Sequence, residues 1–365
     1  MMGRRHWIIG MGLSTLLPRL ARAATLDPRV AAMERALGSG GAPPAMAAGL
    51  IGAAGLEWSA ASGLRRAGQP DPVGPDDLWH LGSNTKAMTA ALWVRLTEQG
   101  RAVRDMPLGQ VFADLRVDRA LADLTVEDLL RHKAGLEDAG LLPFPVVAWA
   151  DTRSLVEQRA ALARVALAQP PKGVPGRFSY TNLNYVLAGA AIERVTGQSW
   201  EAAMAEEVFR PLGISGAGFG APRLNGQGGP NAWGHQASGG TFSPIDPEIM
   251  GSDNPPVLGP AGTAHMSIHD YGRFLQAMAG RGPSGWISAD GLARLVTASA
   301  GDDYALGWIT QPGGVVAHEG SNTLWHVITL MQPQTGRAAV VASNGGMAGR
   351  AVTVRYAQQL MADRF

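Results

Sequence analysis

His80-Leu81-Gly82-Ser83-Asn84-Thr85-Lys86-Ala87-Met88-Thr89-Ala90-Ala91-Leu92-Trp93-Val94-Arg95-Leu96 is where the chain changes character. Upstream, Arg65 to Asp77 is a polar turn leading into Leu78 to Leu81. From Ser83 on, Met88, Ala91, Leu92 and Val94 to Leu96 recur at three- and four-residue steps, and Gly100 stands at the stop position, so a helix is predicted from Ser83 to Gln99. Residues three apart share a helix face, which puts Ser83 beside Lys86. The start of a helix offers unpaired backbone N–H groups and the positive end of its dipole, both favourable to a developing oxyanion. A serine hydroxyl is a weak nucleophile until a neighbouring base takes its proton. A desolvated lysine amine can do so, whereas a guanidinium stays charged in proteins. Arginine outnumbers lysine 28 to 3, so a lysine kept at this position points to chemistry that arginine cannot perform. The 18 serines and 3 lysines give roughly 0.15 chance occurrences of the spacing, so the rest of the chain has to decide between a nucleophile and a capping serine.

The composition narrows the field. The chain has 365 residues, 46% hydrophobic and 17% charged, which suits two or three packed lobes and excludes disordered, collagen-like and coiled-coil classes. No cysteine is present, so a disulfide framework, a thiolate metal site and a cysteine nucleophile are all ruled out. With 31 basic against 30 acidic side chains, no basic surface for a nucleic-acid partner is expected. At the N-terminus, Arg4-Arg5, the apolar run Trp7 to Leu17, Pro18 and Ala21-Arg22-Ala23 read as an export signal over residues 1–23. The apolar run is too short to span a bilayer, and the paired arginines suit a twin-arginine leader and a periplasmic destination. An ordinary secretory leader is the alternative. Cleavage after Ala23 would remove four arginines and no acid, leaving 27 basic against 30 acidic groups, or −3, and no membrane-spanning helix.

Asp27 to Leu37 carries a helical pattern that ends in the turn Gly38 to Pro44, and Ala45 to Ala60 is strand-like. Further helices are predicted at Thr125 to His132, Arg153 to Ala168, Leu183 to Val195 and Ala202 to Phe209, and Gly216 to Gly240 reads as loop. Gly314 to Gly320, Thr323 to Pro333 and Ala338 to Ser343 read as strands, the last two joined by a turn at Gln334 to Arg337, with a final helix from about Arg350 to Asp363. The expected fold class is therefore α+β. An antiparallel sheet is assembled from residues 24–105 and 240–365 and flanked by N- and C-terminal helices, with a mostly helical lobe, 106–239, inserted and the active site between the two.

Two further segments carry suitable chemistry. Tyr180-Thr181-Asn182 follows a Pro/Gly turn. A phenol there could pass a proton to a leaving group, and an amide can both donate to and accept from a peptide-like substrate. His318-Glu319-Gly320 lies on the first terminal strand, where glycine permits close approach of a substrate backbone. Taken singly, each has a structural alternative: a packing tyrosine, a helix-capping asparagine, a buried histidine.

The order Ser-x-x-Lys, Tyr-x-Asn, His-x-Gly resembles the serine β-lactamase and penicillin-recognising hydrolases. It is closest to the class C branch with D-alanyl-D-alanine carboxypeptidases, D-aminopeptidases and esterases. Leu129-Leu130-Arg131-His132-Lys133-Ala134-Gly135-Leu136, Phe178 to Tyr185, Pro211-Leu212-Gly213, Pro260-Ala261-Gly262 and Leu306-Gly307-Trp308 are similar to that branch as well. The resemblance implies a β-lactamase/transpeptidase-like fold and an acyl-enzyme mechanism without a metal or other cofactor. It implies that Ser83 is the nucleophile, Lys86 its activating partner, Tyr180 the proton shuttle and Asn182 a contact to the substrate amide. His318 and Gly320 would line the substrate, with the oxyanion held by the backbone N–H groups of Ser83 and Ser321. Glu319 departs from the hydroxyl residue common at its position. Facing the cleft, it would repel a substrate carboxylate by about 1–4 kcal/mol and favour a neutral or cationic substrate; strict strand alternation would turn it away. The expected partner is a small or peptide-like ester or amide. A true β-lactamase, a D-Ala-D-Ala carboxypeptidase and a non-catalytic sensor on the same fold are the alternatives. A metal hydrolase built on His265 and His269, four apart, is disfavoured because no His-Glu-x-x-His pattern accompanies them.

Overall fold

The strands along the chain are β1 (Ala45–Gly52), β2 (Gly55–Gly63), β3 (Trp79–His80), β4 (Gly218–Phe219), β5 (His235–Ser238), β6 (Thr241–Pro244), β7 (Ala264–Met266), β8 (Ile309–Gln311), β9 (Val315–Ser321), β10 (His326–Gln332) and β11 (Arg337–Ser343). The computed structural model describes residues 27–138, 149–224 and 226–365. The segment read as an export signal lies outside the described residues. Six strands form an antiparallel sheet in the order β2-β1-β11-β10-β9-β8, so the chain's two ends meet where β1 pairs with β11. The antiparallel sheet and the helices around it make the fold α+β. The helices that matter for the site are α1 (Pro28–Leu37), α2 (Thr85–Glu98), α3 (Val126–Leu130), α4 (Leu155–Leu167), α5 (Asn182–Thr196), α6 (Ile268–Gln276) and α7 (Arg350–Ala362).

Both faces of this sheet are covered, which is why its strands read as nearly continuous apolar runs. Met46 and Ala48 of β1, Ile328 of β10, and Ala339 and Val341 of β11 pack with Met33 of α1 and with Tyr356, Ala357 and Leu360 of α7. The intervening residues Ala45, Ala47, Val327, Val340 and Ala342 join the larger core with α2 and α6. The period of two is thus present in the contacts but absent from the hydropathy. Gly49 sits where α6 crosses β1, and a Cβ there would lie 2.6 Å from Ile268. α2 shares this core, buried from Thr85 to Val94 and packed against α5. A helix apolar all round belongs in an interior, and the candidate nucleophile lies in the turn that leads into this one.

The predicted terminal strands and final helix are present within a residue or two, apart from the strand expected from Thr323, β10, which starts at His326. The strand-like stretch Ala45 to Ala60 is a hairpin, turning at Ala53-Ala54 into Gly55, whose φ of +139° suits glycine. The region read as loop from Gly216 to Gly240 holds the two-residue strand β4 and β5, the first strand of the hairpin β5–β6, elements too short to show a period. β4, β7 and β3 form a small sheet whose outer strand, β3, delivers the chain to Ser83.

Register also corrects the reading of Glu319 as a substrate contact. It pairs with Ile328, whose side chain lies on the α7 face of the sheet, so Glu319 points away from the α2 face. There its carboxylate accepts from Arg350 Nε at 2.5 Å and Nη2 at 2.7 Å, and from His326 Nε2 at 3.2 Å. Repulsion of a substrate carboxylate by Glu319 therefore falls away. The His326 hydrogen bond, with Arg350, pulls its pKa from 4.5 to about 2. A depressed carboxylate contributes stability that is present above its unfolded pKa and is lost as pH falls through the folded one. The difference in Tm between wild type and Glu319→Gln is expected to be widest above about pH 5 and to shrink toward about pH 3. A difference independent of pH in thermal melts contradicts this account.

Candidate active site

Ser83 sits in a short 3-10 turn, Gly82–Asn84, that runs directly into α2, so it stands at the helix start one turn ahead of the regular α-helix. Several independent ties hold the turn. Thr85 Oγ1 donates to the Gly82 carbonyl at 2.7 Å. The buried Asn84 donates through Nδ2 to Leu81 O at 3.1 Å and Val327 O at 3.3 Å, and its amide oxygen accepts from Tyr271 OH at 3.2 Å. Gly82 has φ +50°, and the end of β9 lies hard against it: a Cβ on Gly82 would be 2.4 Å from Ser321 N. A Cβ on Gly320 would be 2.0 Å from Leu81 O and 2.7 Å from Ser83 N. Two glycines thus let the Ser83 and Ser321 backbones meet, as two oxyanion donors require.

Lys86 is fully buried and has three partners. Its Nζ lies 3.0 Å from Ser83 Oγ, 2.8 Å from Asn182 Oδ1 and 2.7 Å from Ala261 O. The carbonyl and amide oxygens can only accept, so an uncharged amine satisfies both and has its lone pair left for the serine proton. After transfer, the ammonium donates to all three oxygens, the serine alkoxide included. The same geometry therefore serves both ends of the proton transfer. The ring of Tyr180, 44% exposed, covers the amine with its centroid 4.8 Å from Nζ, and Tyr185 approaches at 5.5 Å.

Asn182 is the first residue of α5, whereas Tyr180 lies in the loop before it. Tyr180 meets Lys86 with its ring, Asn182 with its amide oxygen. Asn182 Nδ2 donates to Asp138 Oδ2 at 3.2 Å, so both ends of the amide expected to contact substrate are engaged within the protein. Asp138 also accepts from Thr181 Oγ1 and, at 3.1 Å, from Leu183 N, and thereby fixes the start of α5.

His318 lies on the α2 face of β9, buried. Its Nδ1 donates to the Glu319 carbonyl at 2.7 Å, which leaves Nε2 to accept from Tyr304 OH at 3.1 Å. Burial, with Lys86 nearby, pushes its pKa down to about 3, so the ring is neutral near pH 7 and brings no positive charge to this strand. His132 is another neutral imidazole, held well below its usual pKa by burial and by Lys86. It adopts φ +59°, accepts from Thr181 N at 3.3 Å, and packs against Phe178, Tyr180, Tyr185 and Tyr304. Its stretch, Leu129 to Leu136, is visible in the sequence; Asp138, Tyr271 and Tyr304 carry no local signal and were not anticipated. Of the two histidines considered for a metal, His265 is on β7 with Nδ1 near Gly220 O at 2.8 Å, and His269 is exposed in the first turn of α6, so they share no helix face. No group of three His, Cys, Asp or Glu able to hold a metal occurs among the described residues.

The Beta-lactamase family model matches residues 30–362, and the chain belongs to that family. It is 27% identical over 295 residues to the unguisins hydrolase ungD' of Aspergillus campestris (strain IBT 28561), covering 74% of this chain and 51% of that one. It is 32% identical over 165 residues to the esterase EstB of Burkholderia gladioli, covering 42% and 41%. The chain spans about half the length of the curated relatives it matches. The crystal structure of the D-alanine carboxypeptidase AmpC from Burkholderia cenocepacia superposes with a TM-score of 0.71 at 18% identity, covering 92% of this chain and 99% of that one, and so shares the fold.

Gly320→Ala places a methyl group against backbone that has no room to yield, and is expected to lower kcat at least about 100-fold, the cost of a lost oxyanion donor. Steady-state kinetics beside a thermal melt test this; a folded variant with wild-type kcat contradicts it. Because His318 is neutral down to about pH 3, the pH profile of kcat/KM is expected to show no limb that His318→Gln removes between about pH 5 and 8.

Proposed function

We propose that the chain is an exported serine hydrolase that acts through an acyl-enzyme on Ser83. The observation that carries this reading is the 3.0 Å contact of the buried Lys86 Nζ with Ser83 Oγ, with both other partners of the amine being obligate acceptors. Lys86 in its uncharged form takes the serine proton as Oγ attacks the substrate carbonyl. The resulting oxyanion is received by the N–H groups of Ser83 and Ser321, the leaving group takes a proton by way of Tyr180, and water then cleaves the acyl-enzyme.

The substrate is an ester or a peptide-like amide. The neutral His318 supports one without a carboxylate next to the scissile bond, because this position on β9 has no cation to hold such a group. The name of one relative, an esterase, fits that range. Export rests on the reading of residues 1–23; no helix among the described residues is long and apolar enough to cross a membrane.

Intact-mass analysis and peptide mapping test the reading after incubation with a fluorophosphonate, a p-nitrophenyl ester, a penicillin, a D-amino-acid amide and D-Ala-D-Ala. An adduct on Ser83 is expected, with turnover of the ester or amide faster than of the two acidic compounds. Ser83→Ala should give no adduct, and Lys86→Ala should slow labelling by about 10²–10⁴-fold, the range of general-base catalysis. Labelling elsewhere, or none, would favour a non-catalytic binding protein; preferred turnover of the penicillin or of D-Ala-D-Ala would assign the chain to those activities instead.

A further inference from the structure

Beneath the turn that carries Ser83 lies a buried polar chain that the acyl-enzyme mechanism does not use. His80, on β3, is fully buried and stacked on Trp325 with ring centroids 5.8 Å apart. The Gly82 N–H donates to its Nδ1 at 3.1 Å, so the ring proton is on Nε2, which donates to the Asp253 carboxylate at 2.9 Å. That carboxylate also accepts from Asn322 Nδ2 at 2.7 Å and from Asn254 N at 2.6 Å. Asn322 in turn accepts through Oδ1 from Leu324 N at 3.2 Å and Trp325 N at 3.1 Å. One buried carboxylate thus joins the residue that tethers Gly82, just before Ser83, to the residue just after Ser321.

We infer that Asp253 is a positioning residue that ties the two halves of the oxyanion site together, through His80 on one side and Asn322 on the other. The inference rests on the Ser83 reading above. The carboxylate holds His80 in the one tautomer whose Nδ1 can accept from Gly82, in the way a carboxylate behind a ligating histidine fixes its tautomer. That hydrogen bond keeps Gly82 in its left-handed conformation, which sets the direction of the following peptide and hence of the Ser83 N–H. Asn322 does the corresponding work for the loop after Ser321. Without the carboxylate, the imidazole can place its proton on Nδ1, facing the Gly82 N–H, and the turn loses its tether. Such a loss acts on the transition state, where the donors matter most, and little on ground-state binding.

The test is steady-state kinetics on a p-nitrophenyl ester, with fluorophosphonate labelling and thermal melts, for Asp253→Asn, His80→Phe and His80→Asn in the full chain. Asp253→Asn is expected to lower kcat about 10–100-fold, somewhat less than removal of an oxyanion donor, with KM within about threefold and labelling of Ser83 slowed in parallel. His80→Phe keeps the ring on Trp325 but has no acceptor, and should lose a similar factor. His80→Asn can accept from the N–H two residues on, as asparagine does in Asx turns, and should recover most of it. If His80→Phe does not fold, the near-isosteric Asp253→Asn decides. A folded Asp253→Asn with kcat within threefold of wild type overturns the inference, as does a loss confined to KM or an equal loss in the two His80 variants. A wild type that never acylates on Ser83 overturns the reading of the site and this inference with it, so the two failures are distinguishable.

Discussion

A primary amine fully enclosed in protein and touching a serine hydroxyl is the constraint around which this molecule is arranged. An ammonium ion in such a place needs acceptors in every direction, and an amine needs at least one donor. Lys86 meets both conditions by having two fixed acceptors, Asn182 Oδ1 and Ala261 O, and one hydroxyl that can play either part. Each partner comes from a different stretch of chain. Lys86 is in the first turn of α2 and Ser83 in the turn before it, Asn182 opens α5, Ala261 lies in the short turn before β7, and Asp138 fixes the asparagine from behind. The packing of α2 against α5 and against the Gly259–Gly262 turn is thereby also the assembly of the site.

The surroundings are polar in their atoms yet carry few free charges. His132 and His318 are both buried and neutral, in each case by desolvation first and proximity to Lys86 second. Tyr180, Tyr185 and Tyr304 give ring faces and hydroxyls. The charged pair on β9, Glu319 with Arg350, stands on the opposite side of the sheet, where it joins strand to α7 and leaves the cleft without an added carboxylate. This division follows from strand alternation: adjacent residues on β9 serve the site and the packing of the C-terminal helix, respectively.

The longer elements were legible in the sequence: α2, α4, α5 and α7 by helical spacing, and the three terminal strands as apolar runs bounded by turn residues. Ser83 and Lys86 were legible too, because their proximity is local and follows from helix geometry. Tyr180 and Asn182 could be named as candidates, but their orientations could not, since the helix begins one residue earlier than its apolar pattern does. Glu319 was misplaced because a single strand with both faces buried gives no polarity to say which side is which, and only pairing with Ile328 decides. Asp138, His80, Asp253 and Asn322 were missed for a different reason. Their hydrogen bonds join residues 44 to 173 positions apart, or depend on such bonds, and no local spacing encodes them.

The central proposal is that Ser83 is reactive because the amine beside it can take its proton. The most direct measurement is the second-order rate of fluorophosphonate adduct formation, with the site mapped by mass spectrometry, in wild type and in Lys86→Arg. A guanidinium can still hydrogen-bond but cannot act as the base. The account predicts an adduct confined to Ser83 in wild type and a rate lower by orders of magnitude in the arginine variant. A folded Lys86→Arg that labels Ser83 at the wild-type rate would contradict it.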